Sequence, residues 1–331
     1  MKSRIKSDPV QLISLFAKYG IFIVSIMLAV FFSVSNERFF TIDNLFLILK
    51  QASPLGISVI GMVFVLIVVG IDISIGRSMF FISTVIGYLV TIKGVIPSHL
   101  FNGPIGSLIV FFIAICLGMT IGILNGLLVT SFKMQPFIVT LATGSILRGI
   151  GLQISGSASI NVSILGSVTN SFLGPLPFAL IIFMVIALIF DFILRRTSYG
   201  RQLMAIGNSE TNARKAGINV NGSIIIAYAI CGVLGAVGGI LSAGQIGAVP
   251  AGFGEGNEFI VISAAVLGGT SLFGGKGNIF PGAIIGILLI TMIMNGLSMI
   301  NASPYIYTIV RGVIIFIAVM IESVRFTGEK R

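Results

Sequence analysis

Charge is what this chain has least of. Charged residues fill 9% of its 331 positions, against about 25% in soluble domains. With 56% hydrophobic residues and a mean hydropathy of +1.12, a soluble globular fold is excluded. The only two cysteines, Cys116 and Cys231, lie in separate apolar stretches, which indicates neither a disulfide framework nor a metal site. The single histidine, His99, stands alone in a loop. No Ser-His-Asp set, no paired acid–base carboxylates and no metal-ligand spacing occurs. An integral-membrane enzyme is therefore the weaker reading, and no catalytic residue, bound cofactor or metal is expected in the chain.

What is present is apolar and continuous. The runs have the roughly 17–25 residues that cross a hydrocarbon core as helix, and lack the ten-residue alternation of an outer-membrane barrel. The expected fold is an all-α polytopic membrane protein of about ten transmembrane helices. Its spans fall near 20–35, 47–69, 77–92, 107–130, 137–153, 175–194, 222–243, 259–273, 280–298 and 304–322. Lys2, Arg4 and Lys6 before an apolar run mimic a secretory signal, but a retained first span keeps all later loops in step with the charge bias.

The net charge of +10 follows the same logic. With both termini cytoplasmic, fifteen of the twenty Lys and Arg residues fall inside, among them Arg77, Lys133 and Lys276, and three fall outside. Arg148 and Arg311 lie within spans, placed to snorkel or to pair internally. Basic loops belong on the cytoplasmic side, and the scatter over short loops argues against a nucleic-acid surface. Glu37, Asp43, Glu255 and Glu258 are expected outside. Nothing is long enough for a second domain, so residues 1–331 read as a single membrane domain.

One polar island stands out. Residues 195–221 hold Arg195, Arg196, Arg201, Glu210, Arg214 and Lys215, with no charge between Arg148 and Asp191 on one side and none between Lys215 and Glu255 on the other. Such a loop is a docking surface for a cytosolic partner, and it points to a transport subunit powered from outside its own sequence.

Two segments interrupt the apolar pattern. Gly70-Ile71-Asp72-Ile73-Ser74-Ile75-Gly76 contains the only carboxylate between Asp43 and Asp191. A carboxylate near hydrocarbon is costly. Asp72 serves either a permeation path or gate, or as a helix cap with Ser74 assisting. The second segment, Leu267 to Gly277, follows an apolar run short for a full crossing. It resembles a phosphate-binding loop only superficially, because Thr270 and Gly277 stand where Gly and Ser or Thr are required; no nucleotide site is expected. Asn125-Gly126 with Pro136 and Arg148-Gly149 echoes Asn295-Gly296 with Pro304 and Arg311-Gly312, an inverted internal repeat of the kind common in transporters. Candidates for the path or gate are thus Asp72, Ser74, Asn125, Thr270 and Asn295. Gly118, Gly122 and Gly126, like Gly235 and Gly239, and Gly282 and Gly286, have the four-residue spacing that lets helices approach closely in lipid.

Together Gly70–Gly76, Pro136–Thr143, Gly200–Ile218, Val266–Gly277 and the final span resemble the permease subunits of ABC importers for ribose and related monosaccharides. The resemblance implies a multi-pass protein of the bacterial inner membrane, moving a sugar by alternating access. It further implies a second permease copy or paralogue, cytosolic ABC ATPase subunits that hold the ATP and Mg, and an extracytoplasmic sugar-binding protein. Residues 195–221 become the coupling loop, with Arg201, Ala205, Ile206, Gly207, Arg214 and Gly217 as coupling residues. Gly207 is expected to face water, small so as to enter the partner's groove. Departures at Asn208, Ser209, Ile260 and Arg77 leave the sugar open. The wider superfamily also moves nucleosides and branched-chain amino acids, and an ion-coupled secondary transporter is the rival class.

Overall fold

The computed structural model describes residues 26–92, 104–166, 172–173 and 176–329. His99 and the basic N-terminal residues lie outside them. The helices are α1 (Ile26–Ser35), α2 (Ile42–Ile67), α3 (Ile75–Gly87), α4 (Pro104–Ser131), α5 (Pro136–Ser155), α6 (Phe178–Arg196), α7 (Ser198–Asn208), α8 (Glu210–Lys215), α9 (Val220–Ile246), α10 (Asn257–Leu267), α11 (Ile284–Met299) and α12 (Pro304–Glu329). Among the described residues six helical segments are long and apolar enough to cross a membrane, and four shorter apolar helices accompany them. Among the described residues strand is confined to two-residue pieces, of which Ile160–Asn161 pairs antiparallel with Ala248–Val249.

At the centre α9 packs against α2, α3 and α4. Lipid offers no hydrophobic drive for helices to associate, so close van der Waals approach must supply it, and glycines make that approach possible. A Cβ on Gly118 would fall on the Gly232 carbonyl, one on Gly122 on the Tyr228 carbonyl, and one on Gly126 2.8 Å from Ile225 Cα. Gly61 of α2 comes equally near Cys231, and Gly239 near Met79 of α3. The four-residue spacing read from the sequence is thus a main-chain contact surface. α6 closes the outer side of α2, with Phe183 filling the space against Gly56 and Phe190 meeting Phe64 edge-on at 5.6 Å.

Several expected boundaries shift, each for a local reason. The span placed at 259–273 stops at Leu267. Gly269 takes φ +92, and the Thr270 and Gly269 amides close back onto Ala265 and Val266, a Schellman ending. The span placed at 47–69 runs from Ile42 to Ile67, capped at its start by Thr41. It also closes with a Schellman pair, Gly70 to Val65 and Val69 to Leu66, but the left-handed residue is Val69 at φ +60. A β-branched residue there is strained by about 1–3 kcal/mol.

Candidate functional site

Three junctions gather the polar residues. At the first, the chain leaving α2 turns back toward the interior instead of continuing outward. Ile75 and Met79 of α3 pack on Gly235 and Gly239 of α9, so the turn from Val68 to Ser74 ends deep within the bundle. A broken helix in lipid must find partners for its freed main-chain groups, and each neighbour supplies one. Thr140 Oγ1 accepts from the Ile73 amide at 3.1 Å and reaches the Ile71 carbonyl at 3.2 Å. Tyr228 Oη approaches the same carbonyl at 3.5 Å.

Asp72 is 2% exposed. Its Oδ1 accepts from the Ser74 amide at 2.9 Å and from Ser74 Oγ at 2.5 Å. Asn125 Nδ2 donates to Ser74 Oγ at 3.0 Å. Asp72, Ser74 and Asn125 therefore form one buried chain, with Ser74 as the N-cap residue of α3 and Asp72 holding it from two positions before. Thr270 and Asn295 lie elsewhere. Thr270 Oγ1 accepts from the Asn278 amide at 3.4 Å, and Asn295 exchanges two 3.0 Å bonds with Asn44 of α2.

This geometry separates two substitutions. Asn at position 72 keeps an acceptor for both Ser74 donors, so Asp72→Asn should retain most uptake. Asp72→Ala strands those buried donors at roughly 1–3 kcal/mol each and should lower the thermal midpoint of the purified protein and its uptake together. Equal stability and uptake for the two variants would show that the carboxyl does not organise the turn.

The second junction is the turn from Gly247 to Gly256, between α9 and α10. Sequence reading placed Glu255 and Glu258 outside and Arg77 in a cytoplasmic loop. The turn packs against the start of α3, where Gly254 and Gly76 meet main chain to main chain. Around it sit three arginines. Arg148 of α5 donates to the Phe253 carbonyl at 3.3 Å, lies 3.6 Å from Glu255 Oε2 and stacks 4.6 Å over the Phe80 ring. Arg311 of α12 donates to the Glu255 carbonyl at 3.4 Å. Arg77 crosses to Leu141 and Ser145 of α5 at 3.3 and 3.2 Å. Glu258 is buried beside them, with Arg77 and Arg311 acting on it electrostatically. The internal pairing read for Arg148 and Arg311 is thus present, and both reach one turn from two helices.

The third junction is the polar island, folded as α7 and α8. Thr197 and Ser209 cap the two helices. Tyr199 stacks on Phe64 of α2 at 6.3 Å and donates to the Ser223 carbonyl of α9 at 3.1 Å; burial holds its phenol well above the ordinary range. Arg201 and Arg214 are exposed, Arg214 pairing with Glu210 at 2.8 Å and with Asn221 at 2.6 Å. Ile206 is buried and Ala205 half-buried. Gly217, at φ +78, ends α8 by a further Schellman pair.

Gly207 departs from its expected placement. Rather than facing water, it packs against the end of α2 and the loop after α10. A Cβ there would fall on the Ile67 carbonyl and the Gly275 amide, which are themselves bonded at 2.9 Å. The residue is small for an internal reason. Between this segment and the first turn lies a cavity of about 760 Å³, lined by Val68, Gly70, Lys133, Glu210, Arg214 and Tyr228 among others. Sequence reasoning missed Thr140, Tyr228 and the convergence on Glu255. Thr140 lies inside the Pro136–Thr143 motif, and that motif was the one available signal.

The chain is 33% identical over 310 residues to the ribose import permease protein RbsC of Escherichia coli (strain K12), covering 91% of this chain and 92% of that one. It is 34% identical over 330 residues to the D-allose transport system permease protein AlsC of the same organism, covering 97% of each. To the galactose/methyl galactoside import permease protein MglC it is 32% identical over 324 residues, covering 94% and 95%. No solved structure matches the chain. A family profile described as branched-chain amino acid transport system / permease component matches residues 44–319. A multi-pass helical chain matched across that length belongs to this permease family.

Proposed function

We propose that the chain is the membrane-spanning permease subunit of an ATP-binding-cassette importer in a bacterial inner membrane, and that it translocates a monosaccharide. The observation that carries this reading is end-to-end similarity to permeases named for ribose, allose and galactose. In this reading all ten apolar helices cross or enter the membrane, both termini are cytoplasmic, and α2–α5 and α9–α12 are the inverted repeats. Two copies, or this chain and a paralogue, form the path. ATP and Mg are held by separate cytosolic ATPase subunits, an extracytoplasmic binding protein delivers the sugar, and the chain itself holds no cofactor and catalyses no reaction.

The mechanism follows from the third junction. The exposed basic faces of α7 and α8 meet the ATPase, and Gly207 joins α7 to both the end of α2 and the loop after α10 by main-chain contact. A displacement of α7 therefore reaches both segments without a flexible side chain between them. The cavity under Val68 and Gly70 gives the α2–α3 turn room to move. Alternating access results when that displacement re-aims the turns that meet at Gly76 and Gly254.

The family description names branched-chain amino acids, which sets the alternative substrate. Uptake of labelled D-ribose, D-allose, D-galactose and L-leucine, with the ATPase co-purified, tests both points. Sugar uptake with ATPase association is expected. Leucine uptake would reassign the substrate, and ion-driven uptake without any ATPase would overturn the importer reading.

Orientation is tested separately. In a background lacking the exposed Cys116, cysteines at Thr211 and Lys330 should resist an impermeant thiol reagent in intact cells, and one at Ser159 should react. Labelling at 211 without permeabilisation would reverse the topology.

A further inference from the structure

Glu255 is out of place for a lipid-facing surface. Its side chain is 74% exposed, yet its turn meets Gly76, which lies in α3 between Ile75 and Met79, the residues that pack on Gly235 and Gly239. At about 1.5 Å per residue that is roughly 10–16 Å short of the C-terminal end of α9. A carboxylate facing hydrocarbon at such depth costs about 2.5–3.5 kcal/mol even on the most permissive scale. The face that exposes it is therefore one that meets water.

The surroundings fit that conclusion. Ala142, Ser145, Gly149 and Gln153 are exposed along one side of α5, spaced as one helical face, and the strip runs beside Arg148. On α12, Gly312 is exposed next to Arg311. A Cβ on Gly149 or Gly312 would meet nothing within 4 Å. Apolar side chains flank this strip, Ile146 and Ile150 on α5 and Ile309 and Phe316 on α12, so the open polar surface is a narrow one around the Glu255 turn, while α6 presents Val185, Leu188, Ile189 and Phe192.

We propose that Arg148, Arg311 and Glu255 form a solute-contact site on the permeation path, built to take a neutral, polyhydroxylated solute. The proposal rests on the permease reading and adds to it the residues that meet the sugar. Their mutual contacts are loose, at 3.3–3.6 Å, where tight charge-assisted bonds are about 2.7–2.9 Å. Each group thus keeps capacity to spare. The exposed carboxylate accepts from adjacent hydroxyls while the guanidinium N–H groups donate to hydroxyl and ring oxygens. Three arginines against two carboxylates leave an excess positive charge around the turn, which repels small cations and leaves a neutral sugar unaffected.

The test uses the assembled importer with Cys116 replaced. Gly149→Cys and Gly312→Cys are each compared with Leu188→Cys for reaction with a small, charged, membrane-impermeant thiol reagent. Both path positions should react at least tenfold faster than position 188, and sugar-loaded binding protein with ATP should change their rates. Reaction no faster than at 188 would overturn the proposal. Glu255→Gln should lower D-ribose, D-allose or D-galactose uptake at least fivefold, with ATPase co-purification and binding-protein affinity unchanged. Unaltered uptake would remove Glu255 from the site. Absence of sugar uptake or ATPase by the wild-type complex would instead count against the permease reading, and the labelling pattern would still decide whether this face meets water.

Discussion

A single methyl group at position 207 should abolish uptake. The Cβ of Gly207→Ala would fall on the Ile67 carbonyl and the Gly275 amide, both main-chain atoms and bonded to each other at 2.9 Å. Neither can swing aside as a side chain would. Overpacking costs about 1–3 kcal/mol, and losing the buried bond adds roughly 1–3 kcal/mol. α7 must then separate from α2 or tilt. The variant should reach the membrane in normal amount, show a lower thermal midpoint in detergent, and lose at least tenfold in sugar uptake. Gly217→Asn is the matched control: it is also in the polar segment, also glycine, but with nothing within 4 Å and a left-handed backbone that Asn tolerates. It should retain most uptake. Normal stability and uptake in Gly207→Ala would show that α7 is not rigidly joined to α2.

Gly122→Val should be more damaging still, and in a different way. Gly122 lies at the middle of the glycine face of α4, where a Cβ would fall on the Tyr228 carbonyl and 2.7 Å from Ala229 Cα. α4 would have to withdraw from α9 along its length, and in lipid no hydrophobic gain opposes that separation. The protein should fail to accumulate. Gly126→Ala, whose Cβ would stand 2.8 Å from Ile225 Cα near the helix end, should accumulate with a reduced midpoint. Membrane abundance and thermal stability across positions 118, 122 and 126 provide the measurement. A flat series would mean that the helices are held by something other than main-chain approach.

Features that depend on local order were legible in the sequence. The apolar runs of α2, α4, α6 and α9, the glycine spacing on α4 and the polar island each follow from neighbouring residues. The interrupted helix at Gly70–Gly76 was visible for the same reason. Depth was not legible, because it is a tertiary property. Glu255 and Glu258 have the flanking residues of an outer loop, and nothing near them in sequence shows that Gly254 packs on Gly76 and carries their turn against α3. Arg77 looks like the start of a span and proves to reach across to α5. Gly207 could be marked as important from the family pattern, but the residues it touches lie some 70 and 140 positions away, and its neighbours in sequence carry no trace of them.

Gly149 and Gly312 have a consequence for how this protein can diverge. The packed glycines of the bundle are closed to variation, since almost any side chain there displaces a backbone. These two positions stand in open space, beside the arginines that hold the Glu255 turn. One nucleotide change in either codon would place a new side chain against the passing solute and leave every helix contact as it was. A lineage changing its diet can therefore alter solute preference at 149 and 312 first, without sacrificing stability, and the frozen glycines of α4 and α9 keep the same machine behind each new lining.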